Sequence, residues 1–166
     1  MRELDNATRI ALAVFMVILY FMGIKAAYTS ESGFLDHFIF AFCHANLIHL
    51  GLNLTSLFLF KKRLYIIEGI YISFLASYLP VWMISGDEAT MGFSGVLFAI
   101  VGIKYGVVFS RCKTIQSLQN TIKINRKAIA ILLTSVVITI FIPHLNWCLH
   151  LYCLIIGCAY GCIKHR

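Results

Sequence analysis

Apolar residues in this chain gather into six runs, at about 10–27, 44–60, 64–84, 93–110, 127–142 and 146–163, with short polar or charged stretches between them. A helix needs about 20 predominantly apolar residues to cross the hydrocarbon layer. A length of 166 residues therefore allows at most six crossings with short connections. The pattern predicts an all-α polytopic membrane protein, a six-helix bundle forming a single domain over 1–166. The first run is bounded by Lys25 and has no small-residue cleavage site, so it is expected to remain as a span rather than be removed. After it, 34–42 is too apolar for a solvated loop and too short to cross, and it is predicted to be a short helix in or on the outer leaflet. The stretch 111–127 is polar and basic. It reads as a cytoplasmic tether facing anionic lipid headgroups.

Composition agrees with a membrane setting. With 60% hydrophobic and 13% charged residues and a mean hydropathy of +0.86, the chain holds more apolar side chain than a soluble core of this size can bury. A net charge of +7 would suggest nucleic acid for a soluble protein. Here the charges sort by side instead. Arg2, Arg9, Lys61, Lys62, Arg63, Arg111, Lys113, Lys123, Arg126, Lys127, Lys164 and Arg166 fall at one set of run ends. The loops near 28–43, 85–91 and 142–146 hold no Lys or Arg and carry Glu31, Asp36, Asp87 and Glu88. The positive-inside bias then places both termini in the cytoplasm. Lys25 and Lys104 are expected to snorkel toward the headgroups and take no chemical role. The expected partner is the bilayer, and nucleic acid is not.

Six cysteines do not form a disulfide framework in this pattern, because Cys148, Cys153, Cys158 and Cys162 share one apolar run while Cys43 and Cys112 lie apart. Cys43 beside His44 lacks the paired spacing of a metal site. The cysteines are expected to be small packing residues, and neither metal nor cofactor is expected.

Polar residues inside the apolar runs are costly, so each must face protein or a water-filled cavity. Gly92-Phe93-Ser94-Gly95 opens the fourth run with a serine between glycines. In the first turn of a helix, the N–H groups near Ser94 and Gly95 have no intrahelical acceptor, and the positive end of the dipole suits a developing oxyanion. In the second run, His49 and Asn53 are four apart and share a helix face, whereas His44, about 140° away from His49, is expected to point elsewhere. As far as spacing goes, the pair either ties the bundle together or serves a site. Two small-residue seams follow, Gly95, Ala99, Gly102 and Gly106 in the fourth run and Cys153, Gly157 and Gly161 after His150 in the sixth. Packed together, they bring Ser94 and His150 close at the outer end. Nucleophile, base and donors are what acyl transfer requires. Glu68 lies near the cytoplasmic end of the third run, too far to orient His150, so the arrangement is expected to be a dyad. His144, the rival base, falls in a loop with no seam in register after it.

At these residues the chain resembles the rhomboid family of intramembrane serine proteases. The matching signatures are His44-x4-His49-x3-Asn53, Gly92-x-Ser94-Gly95 at the head of the fourth run, and His150 followed by small residues three, seven and eleven positions later. The resemblance implies that Ser94 is the nucleophile and His150 the general base, with His49, Asn53 and the Ser94 backbone N–H as the oxyanion hole. It also implies that Phe98 stacks on His150, and that Gly92, Gly95 and His44 support the site. It further implies transmembrane proteins as substrates and a multi-pass location in a bacterial inner membrane. A helix-binding protein without catalysis and a transporter are the rival readings, and the intact Ser94 and His150 stand against the former. The sequence names neither substrate nor oligomeric state. Leu35 and Asp36 stand where the family commonly has Trp-Arg, and the second run ends in Phe60-Lys61-Lys62-Arg63 rather than Gly-x3-Glu. Cys153 replaces a glycine, which is expected to set the fourth and sixth helices slightly farther apart.

Overall fold

The computed structural model describes residues 2–59, 65–79, 89–140 and 146–164. The basic residues at 61–63, the acidic pair Asp87 and Glu88, His144 and Arg166 lie outside the described residues. A helix lies on each of the six apolar runs, and several of the boundaries are set by identifiable caps.

Helix α1, Arg2–Phe21, stops short of the expected residue 27. Gly23 takes a φ of 72°, and the N–H groups of Gly23 and Ile24 reach back to the carbonyls of Tyr20 and Leu19 at 3.1 and 3.0 Å. That pair of bonds closes a helix at a left-handed glycine. The segment expected in the outer leaflet is a short helix, α2 (Phe34–Ile39), followed by a 3-10 turn at Phe40–Phe42 whose three residues are all buried. It meets α3, Leu47–Leu59, at 76°. Helix α3 begins at Leu47 rather than 44, because the Asn46 side-chain oxygen accepts the His49 N–H at 2.8 Å and caps the first turn. Helices α4 (Ile66–Ser77) and α5 (Ser94–Ser110) follow.

The expected tether at 111–127 is instead the first half of a long helix, α6, Ile115–Ile140. Thr114 and Ser117 cap it reciprocally: each side-chain oxygen accepts the other's backbone N–H at 3.1 Å. Gly and Pro are both absent from 113–140, so a polar sequence with nothing to break a helix continues one. Helix α7 spans Trp147–Lys164.

Helix α5 is apolar on every side and buried along most of its length, from Gly95 to Val107, which makes it the axis of the molecule. Helix α7 runs parallel to it and α4 antiparallel, and these three make the tightest packing. The two small-residue seams do meet. A Cβ on Gly102 would strike the Leu154 carbonyl, one on Gly106 the Cys158 carbonyl, one on Gly157 the Ala99 carbonyl and one on Gly161 the Ile103 carbonyl. Backbone on backbone at four successive levels is what glycine permits here. Cys153 is fully buried and faces Gly95, its sulfur 3.5 Å from where a Cβ would stand. All six cysteines are free. At the far end, Lys164 Nζ pairs with Glu68 Oε1 at 2.8 Å. An exposed pair of this kind adds at most about 1 kcal/mol, but it sets the end of α7 level with the start of α4.

Outer faces of the bundle are apolar, with Phe21, Ile48, Leu52, Leu59, Ile67 and Ile163 well exposed, while His44, Asn53, Ser73, Ser77, Thr90 and His150 are inside. Such a distribution suits lipid outside and a polar centre within. Helix α7 has both the length and the hydropathy to cross a membrane alone, and its 18 residues give about 27 Å of helix. Asn6–Phe21, Ile66–Ser77 and Ser94–Ser110 are shorter apolar helices.

Two glycines separate close packing from mere helix propensity. Gly157→Val should lower unfolding stability in mixed micelles by about 3 kcal/mol, since its side chain meets backbone. Gly51→Ala, where nothing lies within 4 Å, should leave stability unchanged or raise it by up to about 1 kcal/mol.

Candidate active site

Helix α5 begins at Ser94, so the N–H groups of Ser94, Gly95 and Val96 precede the first intrahelical bond, from Leu97 N–H to the Phe93 carbonyl at 3.1 Å. The chain reaches that helix through Gly92, whose φ of 126° is a conformation that side-chain-bearing residues rarely adopt. Its N–H donates to the Phe40 carbonyl at 2.9 Å, so the buried 3-10 turn holds the approach to the serine. Space matters as much as φ: a Cβ on Gly92 would lie 2.6 Å from His49 Nε2 and 3.6 Å from Asn53 Nδ2. The glycine therefore leaves room for both side chains.

Ser94 Oγ lies 2.7 Å from His150 Nε2. His150 is 4% exposed, in the first turn of α7, which Asn146 caps by accepting the Leu149 N–H at 3.1 Å. Phe98, one turn after Ser94, stacks on the imidazole with ring centroids 4.7 Å apart and planes 22° from parallel. Nδ1 of His150 has no protein partner among the described residues, and Glu68 is engaged with Lys164 at the other end of the bundle. With Nε2 accepting the serine proton, Nδ1 carries the ring's own hydrogen. Among the described residues the constellation is a pair, without a carboxylate.

His49 and Asn53 border the space beside Gly92, and both His49 Nε2 and Asn53 Nδ2 are buried without a partner among the described residues. Buried donors left unpaired cost free energy, and a ligand oxygen would satisfy them. His44 corrects the sequence reading. It precedes α3, so helical rotation does not apply to it, and instead of pointing away its ring meets His49 edge-on with centroids 5.1 Å apart. Its Nδ1 lies 3.2 Å from the Phe42 carbonyl. His44 is thus the wall behind His49.

A second serine–histidine contact shows what distinguishes the first. His37 Nδ1 lies 2.8 Å from Ser77 Oγ, but that hydroxyl already donates to the Phe74 carbonyl at 2.6 Å, so the imidazole must be the donor. Burial holds His37 below the usual histidine range, with Asp36 acting weakly the other way, and the ring stacks on Tyr78 at 4.1 Å. This pair docks α2 on α4 and activates nothing. Sequence reasoning missed it, and it missed the caps Asn46 and Asn146, although an asparagine directly before an apolar run is a helix-start signal.

Chemically, an imidazole nitrogen within hydrogen-bond reach of a serine hydroxyl, a helix N-terminus at the same residue and two unpaired side-chain nitrogens nearby constitute the parts needed for acyl transfer. A family model described as the Rhomboid domain matches residues 31–166. No curated protein and no solved structure matches the chain.

Gly92→Ala should test the geometry. Strain at φ 126° and the clash with His49 are expected to slow organofluorophosphonate labelling of Ser94 by about tenfold or more, with helical circular dichroism retained. An unchanged labelling rate would contradict the placement of His49.

Proposed function

The chain belongs to the rhomboid family, integral membrane proteins that generally include serine proteases, and on that premise we propose that it is an intramembrane serine endopeptidase. Its substrates are single-span membrane proteins, cut within or beside their transmembrane segments. The observation that carries this reading is the 2.7 Å contact between Ser94 Oγ and His150 Nε2, made between helices whose backbones touch.

Ser94 Oγ attacks the scissile carbonyl carbon while His150 Nε2 takes its proton. The carbonyl oxygen becomes an oxyanion, and it is met by the Ser94 N–H, His49 Nε2–H and Asn53 Nδ2–H. Collapse breaks the C–N bond, and His150 returns the proton to the departing amine. Water, deprotonated by the same imidazole, then hydrolyses the acyl-enzyme and frees Ser94. His49 must carry its hydrogen on Nε2 for this role, and the ring of His44 on its other side helps to fix its orientation. No cofactor enters the scheme.

Backbone in a helix is protected by its own hydrogen bonds, so the substrate segment must unwind locally to present an extended peptide. Segments with Gly, Pro or polar residues near the outer end are therefore preferred. Access is lateral, between α3 and α6, a reading supported by the lack of contact between those helices among the described residues. The chain is one domain of six spans with both termini in the cytoplasm and Ser94 toward the outer side of a bacterial inner membrane. The distribution of Lys and Arg supports this orientation.

Cleavage of a single-span substrate in liposomes by the wild type is expected to vanish in Ser94→Ala and His150→Ala. Asn53→Ala should lower kcat by about 10²–10³ with little change in KM. Equal cleavage by wild type and Ser94→Ala would end the proposal. For topology, a reporter inserted near residue 120 should read cytoplasmic and one near residue 31 extracytoplasmic. The reverse would overturn the orientation.

A further inference from the structure

Ser94 and His150 lie on different helices, and their contact holds only if the starts of α5 and α7 keep a fixed separation. The glycine seam fixes that separation from the level of Ala99 and Gly157 inward. Above it, at the end where the two side chains meet, glycine against backbone no longer serves. There the Asn146 Nδ2 group donates to Thr90 Oγ1 at 2.9 Å, while the Oδ1 atom of the same carboxamide accepts the Leu149 N–H at 3.1 Å. The orientation of the amide is settled by its partners, because a backbone N–H can face only the oxygen.

Thr90 is itself anchored. It is buried, and its N–H and carbonyl exchange two backbone hydrogen bonds with Tyr28, each 3.0 Å. Two residues on, Gly92 N–H is held by Phe40, and two residues after that comes Ser94. We propose that Asn146 is a positioning residue, linking the first turn of α7, which carries His150, to the segment that leads into Ser94. This rests on the protease reading of the same site. One planar group has both ends committed, one to the helix bearing the base and the other to the approach bearing the nucleophile. Its loss lets the two helix starts drift, and catalysis is sensitive to displacements of the order of an ångström.

Two substitutions break the link. Thr90→Val keeps shape and removes the acceptor. Asn146→Ser keeps a side-chain oxygen able to cap α7 but is too short to reach Thr90. Each should lower kcat for single-span substrate cleavage by about ten- to hundredfold, with KM within about twofold of wild type, counted per site titrated to completion with a fluorophosphonate. The Thr90→Val/Asn146→Ser double variant should be no slower than the slower single one, since both break the same link. Thr90→Ser, which keeps the hydroxyl, should restore most of the rate.

A merely structural role predicts something else: lower thermal stability and fewer titratable sites, with kcat per site unchanged. That result, or rate losses that multiply in the double variant, overturns the proposal. If Thr90→Val does not fold, Asn146→Ser and Thr90→Ser carry the comparison. Failure of the underlying protease reading looks different, because the wild type itself would then neither cleave nor be labelled at Ser94, and the link would fall with it.

Discussion

Two helices in lipid gain nothing from hiding apolar surface from each other, since the surroundings are as apolar as they are. What draws α5 and α7 together is contact between atoms, and contact is closest where side chains are missing. Gly102 and Gly106 on one helix and Gly157 and Gly161 on the other place backbone against backbone. The register of that contact decides which residues meet at its outer end. Ser94 and His150 face each other because the two seams lie in step, and Phe98 is one turn below to support the ring. The rest of the molecule is arranged around this parallel pair, with α4 packed antiparallel against it and α3 bringing His49 and Asn53 to the side.

Polar groups in the interior divide by whether they are already engaged. His37 with Ser77 and Asn146 with Thr90 are paired, and they hold elements to one another. His49 Nε2, Asn53 Nδ2 and His150 Nδ1 are not paired within the described residues. In a low-dielectric interior such groups interact strongly with any charge that develops beside them. Both donors on α3 border the space at Gly92, next to the serine. In the proposed mechanism, their unpaired state in the resting protein is what leaves them free to meet an oxyanion.

Much of the site was legible because it depends on periodicity. The four-residue spacing of His49 and Asn53, and the seams following Ser94 and His150, specify faces, and faces specify neighbours. The carry-over from the family resemblance named the same residues, and the geometry brings them together. Features set by a helix end were less legible. His44 falls in the second apolar run but precedes its helix, which begins three residues later after the Asn46 cap, so helical rotation gives it the wrong direction. Only the first half of α6 escapes the hydropathy pattern: its polar, basic residues suggest a tether to lipid headgroups, although they include none that breaks a helix and Thr114 caps the start. Helix α1 ends at a glycine whose left-handed turn has no hydropathy signature. The pairing of Tyr28 with Thr90 and of Phe40 with Gly92 leaves no local trace at all, since backbone groups far apart in the chain make those bonds.

A crystal structure of the protein after reaction with a fluorophosphonate tests the central claim most directly. The account predicts one phosphonyl group bonded to Ser94 Oγ, its free oxygen about 2.7–3.1 Å from the Ser94 N–H, Asn53 Nδ2 and His49 Nε2. A phosphonyl group on another residue, or on Ser94 with its oxygen turned away from Asn53 and His49, would contradict it.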